Sequence, residues 1–350
     1  MVNAVRIGSR AIGDGLPCFV IAEAGVNHDG ELRLALQLVD AAVEAGADAV
    51  KFQTFDPDQL ATPDAPKAAY QVSATDESQS QLEMLRKLTL STDEHERLAA
   101  HCGERNILFL STPFDHGSAD LLAAMGLPAF KISSGDLTNE PFLEHVARFG
   151  RPMLVSTGMA TEREVASAVA AIRQAGNTEL VLLQCVSNYP ARPADVNLRA
   201  MATMARRFST PVGFSDHTMG LEVAFAAVAL GACVVEKHLT LDRRRPGPDH
   251  RASLEPADFS ALVRGVREIE AAMGDGRKEP AASEAEVARV ARKSVVAERT
   301  IPAGTVLTED LLAIRRPGTG MPPSARRALL GRQAVREIPA GALLSEDMLA

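Results

Sequence analysis

The sequence predicts an α/β chain: a closed (β/α)8 barrel of the TIM type, followed by a small β-rich domain. Three observations carry this. Short apolar, β-rich runs alternate with amphipathic helical stretches, which is the mark of parallel βαβ units. Eight such runs fall within about 250 residues. After residue 276 the pattern changes, and a thirteen-residue segment is repeated, IPAGTVLTEDLLA at 301–313 and IPAGALLSEDMLA at 338–350.

The expected strands are Phe19–Ala24, Ala49–Thr54, Leu108–Thr112, Ala129–Ser133, Met153–Thr157, Leu180–Val186, Pro211–Ser215 and Val234–Leu239. Between them lie helices such as Glu31–Ala45, Thr92–Glu104 and Thr161–Ala175, whose apolar positions recur at helical spacing. A doubly wound open sheet is the alternative, but no GxGxxG follows the first run. The polar stretch Gly274–Glu286 reads as part of a linker, which divides the chain into a barrel (1–275), a linker (276–291) and a tail domain (292–350). Each copy of the tail repeat has a Pro-Ala-Gly turn, then Thr308 or Ser345 as a helix cap with an acidic first turn. A tail of that size is marginal as an independent unit and is expected to pack on something.

Composition excludes several classes. Of 350 residues, 46% are hydrophobic and 23% charged, ordinary values for a globular chain. Aromatics make up 4%, Trp is absent and the net charge is −8, which argues against a nucleic-acid partner. The tail from 276 onward carries 12 basic and 9 acidic residues, a mildly basic end on an acidic body. Cys18, Cys102, Cys185 and Cys233 are widely spaced, without a CxxC pair, as expected of reduced thiols rather than a disulfide framework. No apolar signal core opens the chain, and the longest apolar run, Leu221–Val235, is interrupted by Glu222 and Gly231. The expectation is a cytoplasmic protein with no membrane partner.

In a parallel barrel the chemistry sits at the carboxyl ends of the strands. Those ends deliver Glu23, Lys51 and Gln53, Thr112, Lys131 with Ser133, Ser134 and Asp136, Ser156, Gln184 with Ser187, Asn188 and Tyr189, Ser215 with His217, and Glu236 with His238. Lys51 and Lys131 among hydroxyls make a cationic mouth suited to a small phosphorylated carboxylate. A Schiff-base aldolase is the competing use of a barrel lysine. His217 and His238 close neighbouring strands, about 4.8 Å apart, so both imidazoles can reach one metal ion and leave positions for water and substrate. Either histidine alone is as well explained as a hydrogen-bonded core residue. Two imidazoles with oxygens suit several divalent ions. The stiff turn Pro246-Gly247-Pro248 can aim Asp249 back at the mouth, and Arg315-Arg316-Pro317-Gly318 is a basic turn in the tail.

The runs IAEAGVNHDG (21–30), VKFQTF (50–55), FKISSGDLTNEPF (130–142), STGMAT (156–161), SNYP (187–190), GFSDHTMG (213–220), EKHLTLDRRRPGPDH (236–250) and RRPGTG (315–320) resemble the sialic acid synthases and related nonulosonic acid synthases. The tail resembles the antifreeze-like (SAF) domain that ends these enzymes. The resemblance implies a transferase that condenses phosphoenolpyruvate with N-acetylmannosamine, consuming water and releasing phosphate, to give N-acetylneuraminate. The alternative is an N,N'-diacetyllegionaminate synthase acting on 2,4-diacetamido-2,4,6-trideoxymannose, because the STGMAT, SNYP and PGPDH variants occur in such relatives too. It further implies that His217 and His238 hold a divalent metal (Mn2+, Mg2+ or Co2+). Lys51, Thr112, Lys131, Ser134, Ser156, Ser187, Asn188 and Ser215 would contact phosphoenolpyruvate, and Gln53, Tyr189 and Asp249 the sugar. Glu23 or Asp136 would be the acid–base carboxylate. Arg316 would reach into the partner's barrel in a domain-exchanged homodimer. An ice- or carbohydrate-binding module built on the tail is the non-enzymatic alternative.

Overall fold

Each expected barrel run is a strand, and the reason is burial on both faces. In the computed structural model, which describes residues 4–75 and 78–350 and of residue 73 only the backbone, the strands are β3 (Phe19–Gly25), β4 (Ala49–Thr54), β5 (Leu108–Pro113), β6 (Phe130–Ile132), β7 (Met153–Ser156), β8 (Leu180–Cys185), β9 (Val212–Asp216) and β10 (Val234–His238). They follow a short hairpin of β1 (Val5–Ile7) and β2 (Arg10–Ile12) that the sequence reading did not foresee. The eight strands run parallel in the order β5-β4-β3-β10-β9-β8-β7-β6. The first barrel strand pairs with the last, Phe19 opposite Val234 and Glu23 opposite His238. That pairing excludes the doubly wound alternative. β5 and β6 lie side by side and complete the ring without a hydrogen-bonded ladder among the described residues.

Alternate residues of each strand face opposite sides, and two cores result. Val20, Ala22, Val50, Phe52, Leu182 and Phe214 pack outward against the helices. Phe19, Ile21, Ala49, Leu110, Leu154, Val181, Leu183 and Val234 fill the inside of the barrel. Val5, Ile7 and Ile12 of the hairpin join the inner set, so the hairpin plugs that end. Arg10 bonds Asp48 Oδ1 at 2.7 Å, and Asp48 Oδ2 accepts from Val20 N and from Arg267, both at 2.8 Å. One carboxylate thus ties the hairpin and the last barrel helix, Pro256–Met273, to the first strand.

The helices begin where polar caps allow. Ser91 with Glu94, and Thr161 with Glu164, form reciprocal capping boxes ahead of Thr92–Glu104 and Glu162–Gln174. Leu32–Ala45 ends on Gly46, at φ 80°, a conformation that costs glycine little. Between β4 and β5 the chain inserts three short helices, Pro57–Leu60, Ala69–Ala74 and Gln81–Lys87.

The chain divides into two units at Gly274 and Asp275. In the second, the polar segment 276–291 is mostly exposed and carries a helix at Ala285–Ala291. β11 (Ser294–Ala297) pairs antiparallel with β12 (Leu312–Arg315). The two IPAG copies face each other: Ile301 N donates to Ile338 O at 2.8 Å, and Ile338 N to Ile301 O at 2.9 Å. Both isoleucines lie in the unit's core with Val295, Leu307, Leu312 and Leu344. The expected capped helices are not formed. Each copy has a single 3-10 turn, Glu309–Leu311 and Glu346–Met348, and neither Thr308 nor Ser345 caps it. Their hydroxyls instead donate to Asp310 Oδ1 at 2.6 Å and Asp347 Oδ1 at 2.5 Å.

Among the described residues no helix is long and apolar enough to cross a membrane. The outward faces of β9 and β10 hold a fully buried pair, Lys237 Nζ to Asp216 Oδ2 at 2.6 Å, with Thr218 O accepting a second bond at 2.7 Å. Removing one partner leaves a buried charge without compensation. Lys237→Met is expected to destabilise the protein by about 3–5 kcal/mol, measured by urea unfolding.

Candidate active site

The two-residue alternation that places apolar side chains inside the lower barrel places polar ones at its mouth. Ile21 is followed inward by Glu23, Ala49 by Lys51 and Gln53, Leu110 by Thr112, Leu154 by Ser156, and Leu183 by Cys185. With Lys131, Ser215, His217, Glu236 and His238 they line one cavity of about 520 Å³. Tyr189 and Asp249 from the loops line it as well.

Register explains the contacts. Glu23 stands opposite Lys51, and Lys51 Nζ lies 2.6 Å from Glu23 Oε2, both side chains buried. Lys51 also donates to Thr112 Oγ1 at 2.8 Å, and Gln53 Nε2 to Glu23 Oε1 at 3.1 Å. Glu236 stands opposite Ser215 and accepts from its hydroxyl at 3.2 Å. Lys131 Nζ lies 3.5 Å from the same Glu236 oxygen. Each buried lysine therefore has its own carboxylate.

Two glycines keep the mouth open. A Cβ on Gly25, where φ is +53°, would lie 3.1 Å from Glu23 Oε1, 3.2 Å from Gln53 Nε2 and 3.6 Å from Asp249 Oδ2. A Cβ on Gly158 would lie 2.4 Å from Ser187 Oγ and 2.8 Å from Ser134 Oγ. Gly158 N donates to Ser134 Oγ at 2.9 Å. Side chains at these positions would fill two polar cradles.

The histidine rings of His217 and His238 have centroids 5.5 Å apart, and Tyr189 packs on His217 at 4.1 Å. His217 Nδ1 bonds the Val186 carbonyl at 2.7 Å, which leaves Nε2 as the nitrogen with a lone pair. His238 Nδ1 is buried without a hydrogen-bond partner; Asp249 Oδ2 is 3.9 Å away. Ser156 Oγ and Glu236 Oε2 are buried and unpartnered too. Among the described residues no three His, Cys, Asp or Glu side chains are grouped to hold a metal. What the mouth offers a cation is a pair of imidazole nitrogens, His217 Nε2 and the unpartnered His238 Nδ1, on rings that line the same cavity.

Burial governs the titrations. It raises Glu23 to about 7, against the lowering effect of Lys51 and with help from Glu236. It raises Asp249 to about 6, although His217 and His250 pull the other way. At Glu236 it also opposes ionisation, but Lys131 and Lys51 outweigh it and hold the carboxyl below its usual range. Burial drives His238 well below the ordinary imidazole value, and neighbouring His217 adds to this. It depresses His217 as well, yet the Cys185 thiol beside it and Glu236 raise it on balance.

The expected residues do not all lie at the mouth. Asp136 does not line the cavity; its carboxylate accepts from Ser133 Oγ at 2.6 Å. Asn188 does not line it either, whereas Ser187 does. Gln184 faces the outer layer and donates to Val196 O at 2.8 Å, and Cys185 takes the inward place. Arg316 lies in the second unit, where it is exposed and donates to Ala291 O at 3.1 Å. The sequence reading missed Cys185, Gly158 and Tyr70, whose ring lies 5.0 Å from that of Tyr189. Counting alternate residues along β8 from the inward Val181 and Leu183 leads to Cys185; nothing in the sequence pattern marked Tyr70.

The chain matches the NeuB family over residues 38–278 and the SAF domain over 292–350, and it belongs to the NeuB family. It is 45% identical to the N,N'-diacetyllegionaminic acid synthase of Legionella pneumophila, over 93% of this chain and 92% of that one. It is 44% identical to the enzyme of the same name from Campylobacter jejuni, over 90% and 95%. The solved N-acetylneuraminic acid synthetase of Leptospira borgpetersenii, in complex with citrate, is 35% identical and superposes with a TM-score of 0.72, over 82% of this chain and 95% of that one.

Glu23 generates a pH test. Between its ordinary 4.5 and about 7 the folded protein keeps a proton that the unfolded chain has lost. Stability contributed by that proton falls as pH rises through this window and changes no further above it. Asp249 acts the same way, but only from 3.8 to about 6. Glu23→Gln is expected to flatten the loss of stability between pH 6 and 7 and to leave a slope below pH 6, measured by urea unfolding across pH.

Proposed function

We propose that this member of the NeuB family condenses phosphoenolpyruvate with 2,4-diacetamido-2,4,6-trideoxymannose to give N,N'-diacetyllegionaminate. The enzyme is a transferase that forms a carbon–carbon bond and releases phosphate. The observation that carries the reaction type is the mouth itself. Two buried lysines, unpartnered Ser156 and Glu236 oxygens and two imidazoles converge on one cavity. The higher identity to legionaminic than to sialic acid enzymes supports the sugar. N-acetylmannosamine is the second reading, supported by the superposition on the sialic acid synthetase.

Lys51, Thr112, Lys131, Ser134, Ser156, Ser187 and Ser215 bind the anionic groups of phosphoenolpyruvate, with Ser187 in place of Asn188. The cradle under Gly158 suits a phosphate, because two hydroxyls meet there and no Cβ intrudes. Gln53, Tyr189 and Asp249 contact the sugar. His217 and His238 hold a divalent ion such as Mn2+, Mg2+ or Co2+, which when bound supplies Lewis-acid polarisation of the sugar aldehyde. C3 of phosphoenolpyruvate bonds to the sugar C1, whose oxygen takes a proton. Water adds its oxygen to C2, and the C2–O bond to phosphorus-bearing oxygen breaks to leave phosphate and the 2-keto acid. Glu23, with a pKa of about 7, can both accept and return a proton at neutral pH. It takes the acid–base role instead of Asp136. All four cysteines are free and buried, in keeping with a reducing, cytoplasmic setting.

Phosphate release from phosphoenolpyruvate, measured with each sugar and each metal, tests this reading. Turnover is expected with the diacetamido sugar and to stop on chelation. His217→Ala and His238→Ala are expected to lose activity by at least a hundredfold while thermal unfolding stays within a few degrees. Full turnover of His217→Ala after chelation would refute the metal. Borohydride trapping of a covalent adduct on a lysine would favour the Schiff-base aldolase.

The tail acts in trans in a domain-exchanged homodimer, with Arg316 covering the sugar in the partner's barrel. Its exposure on a short Pro-Gly turn supports this. Arg316→Ala then raises the sugar KM or lowers kcat roughly ten- to a hundredfold, the worth of one charge-assisted hydrogen bond. Mixing it with His217→Ala is expected to restore activity, because one barrel then meets an intact tail. Subunit exchange without recovery would refute the arrangement.

A further inference from the structure

Strand ends account for the floor of the cavity, but one of its sides is built differently. Leu60, Met84, Leu85 and Leu88 of the insert between β4 and β5 line the cavity, together with Val26, Phe55 and Phe114. These seven form a small apolar cluster of their own, apart from the barrel's two cores. Met84 and Leu88 are buried, while Leu60 and Leu85 are half-buried where they face the cavity. A Ser80–Glu83 capping box starts the helix Gln81–Lys87, and Arg86 ties it to the helix Pro57–Leu60 through Asp58 at 2.5 Å. Gln71 and Gln81 of the same insert also reach the cavity and offer donors and acceptors suited to an acetamido group.

A sugar held at the strand ends by its aldehyde carbon must turn its far end, C6, toward something other than the polar floor. We propose that the Leu60–Met84–Leu85–Leu88 wall selects for a methyl group at C6 and against a C6 hydroxyl. This rests on the diacetamido-trideoxy sugar reading and gives it a physical cause. A methyl laid on the wall covers the open faces of Leu60 and Leu85. A hydroxyl in the same place gives up water and finds no partner among those side chains. Apolar pockets discriminate in this way by about ten- to a hundredfold.

The test isolates C6. kcat/KM is measured for 2-acetamido-2,6-dideoxymannose and for N-acetylmannosamine, which differ only in the C6 hydroxyl. If either turns over too slowly, inhibition constants replace it. The native enzyme is expected to favour the 6-deoxy sugar by roughly tenfold or more. Leu85→Gln, and independently Leu60→Gln, is expected to bring the ratio to within about threefold of unity, with the KM for phosphoenolpyruvate unchanged and thermal unfolding still cooperative. Should one variant not fold, the other serves. A native ratio of one or less, or an unchanged ratio in a folded variant, overturns the wall. Failure of the sugar reading shows separately, as absent turnover of the diacetamido sugar.

Discussion

Lys51 and Lys131 sit almost without solvent at the centre of a barrel mouth, and that burial constrains everything around them. A buried ammonium persists only with an anion and further acceptors close by. Glu23 and Glu236 take those places, at 2.6 Å and 3.5 Å. Burial still pulls the Lys131 pKa down, with Glu236 working against it. The two pairs are unequal. Glu23 is pushed toward neutrality and Glu236 is held ionised. One mouth thus contains a carboxyl able to exchange a proton near neutral pH and a second that keeps its charge, the separation of roles that acid–base chemistry needs.

The same constraint explains the support around the mouth. Phe19, Ile21, Leu110, Leu154 and Leu183 fill the barrel beneath the charges, and the N-terminal hairpin closes that end with Ile7 and Ile12. A dry floor keeps the ion pairs from being dissolved by water from below. On the rim, Asp29 accepts from Arg245 at 2.7 Å and bonds His250 at 2.9 Å. His250 also bonds Thr240 at 2.7 Å, and Ser253 donates to the Asp249 carbonyl at 2.7 Å. The rigid Pro-Gly-Pro loop is therefore held on both sides of Asp249, which fixes a carboxylate that would otherwise turn to solvent.

Polar floor and apolar side come from different parts of the chain. The floor is made by residues two apart on strands, so its composition is bound to the barrel's own register. The side is made by an insertion between β4 and β5, which can vary without disturbing a single strand pairing. A scaffold divided this way can keep one anionic co-substrate and change the second substrate.

Much of this was written locally. Eight apolar runs and their spacing define the barrel, because fully buried parallel strands leave continuous apolar runs and the amphipathic helices between them leave a helical period. Lys51, Thr112, Lys131, Ser215, His217 and His238 were legible from their place at the strand ends, since an inward-facing polar residue ending a buried run has only the mouth to occupy. What failed was inside–outside parity and everything non-local. Gln184 and Asp136 stand at strand ends as plausibly as their neighbours, but a one-residue step turns the first into the outer layer, and the 3-10 turn Ser134–Asp136 holds the second against Ser133. The hairpin plug, the Asp48 clasp and the apolar wall join residues far apart in the chain, and no local period records them. The pKa of Glu23 belongs to the same class: type and position come from the sequence, but burial and the distance to Lys51 exist only once β3 and β4 lie side by side.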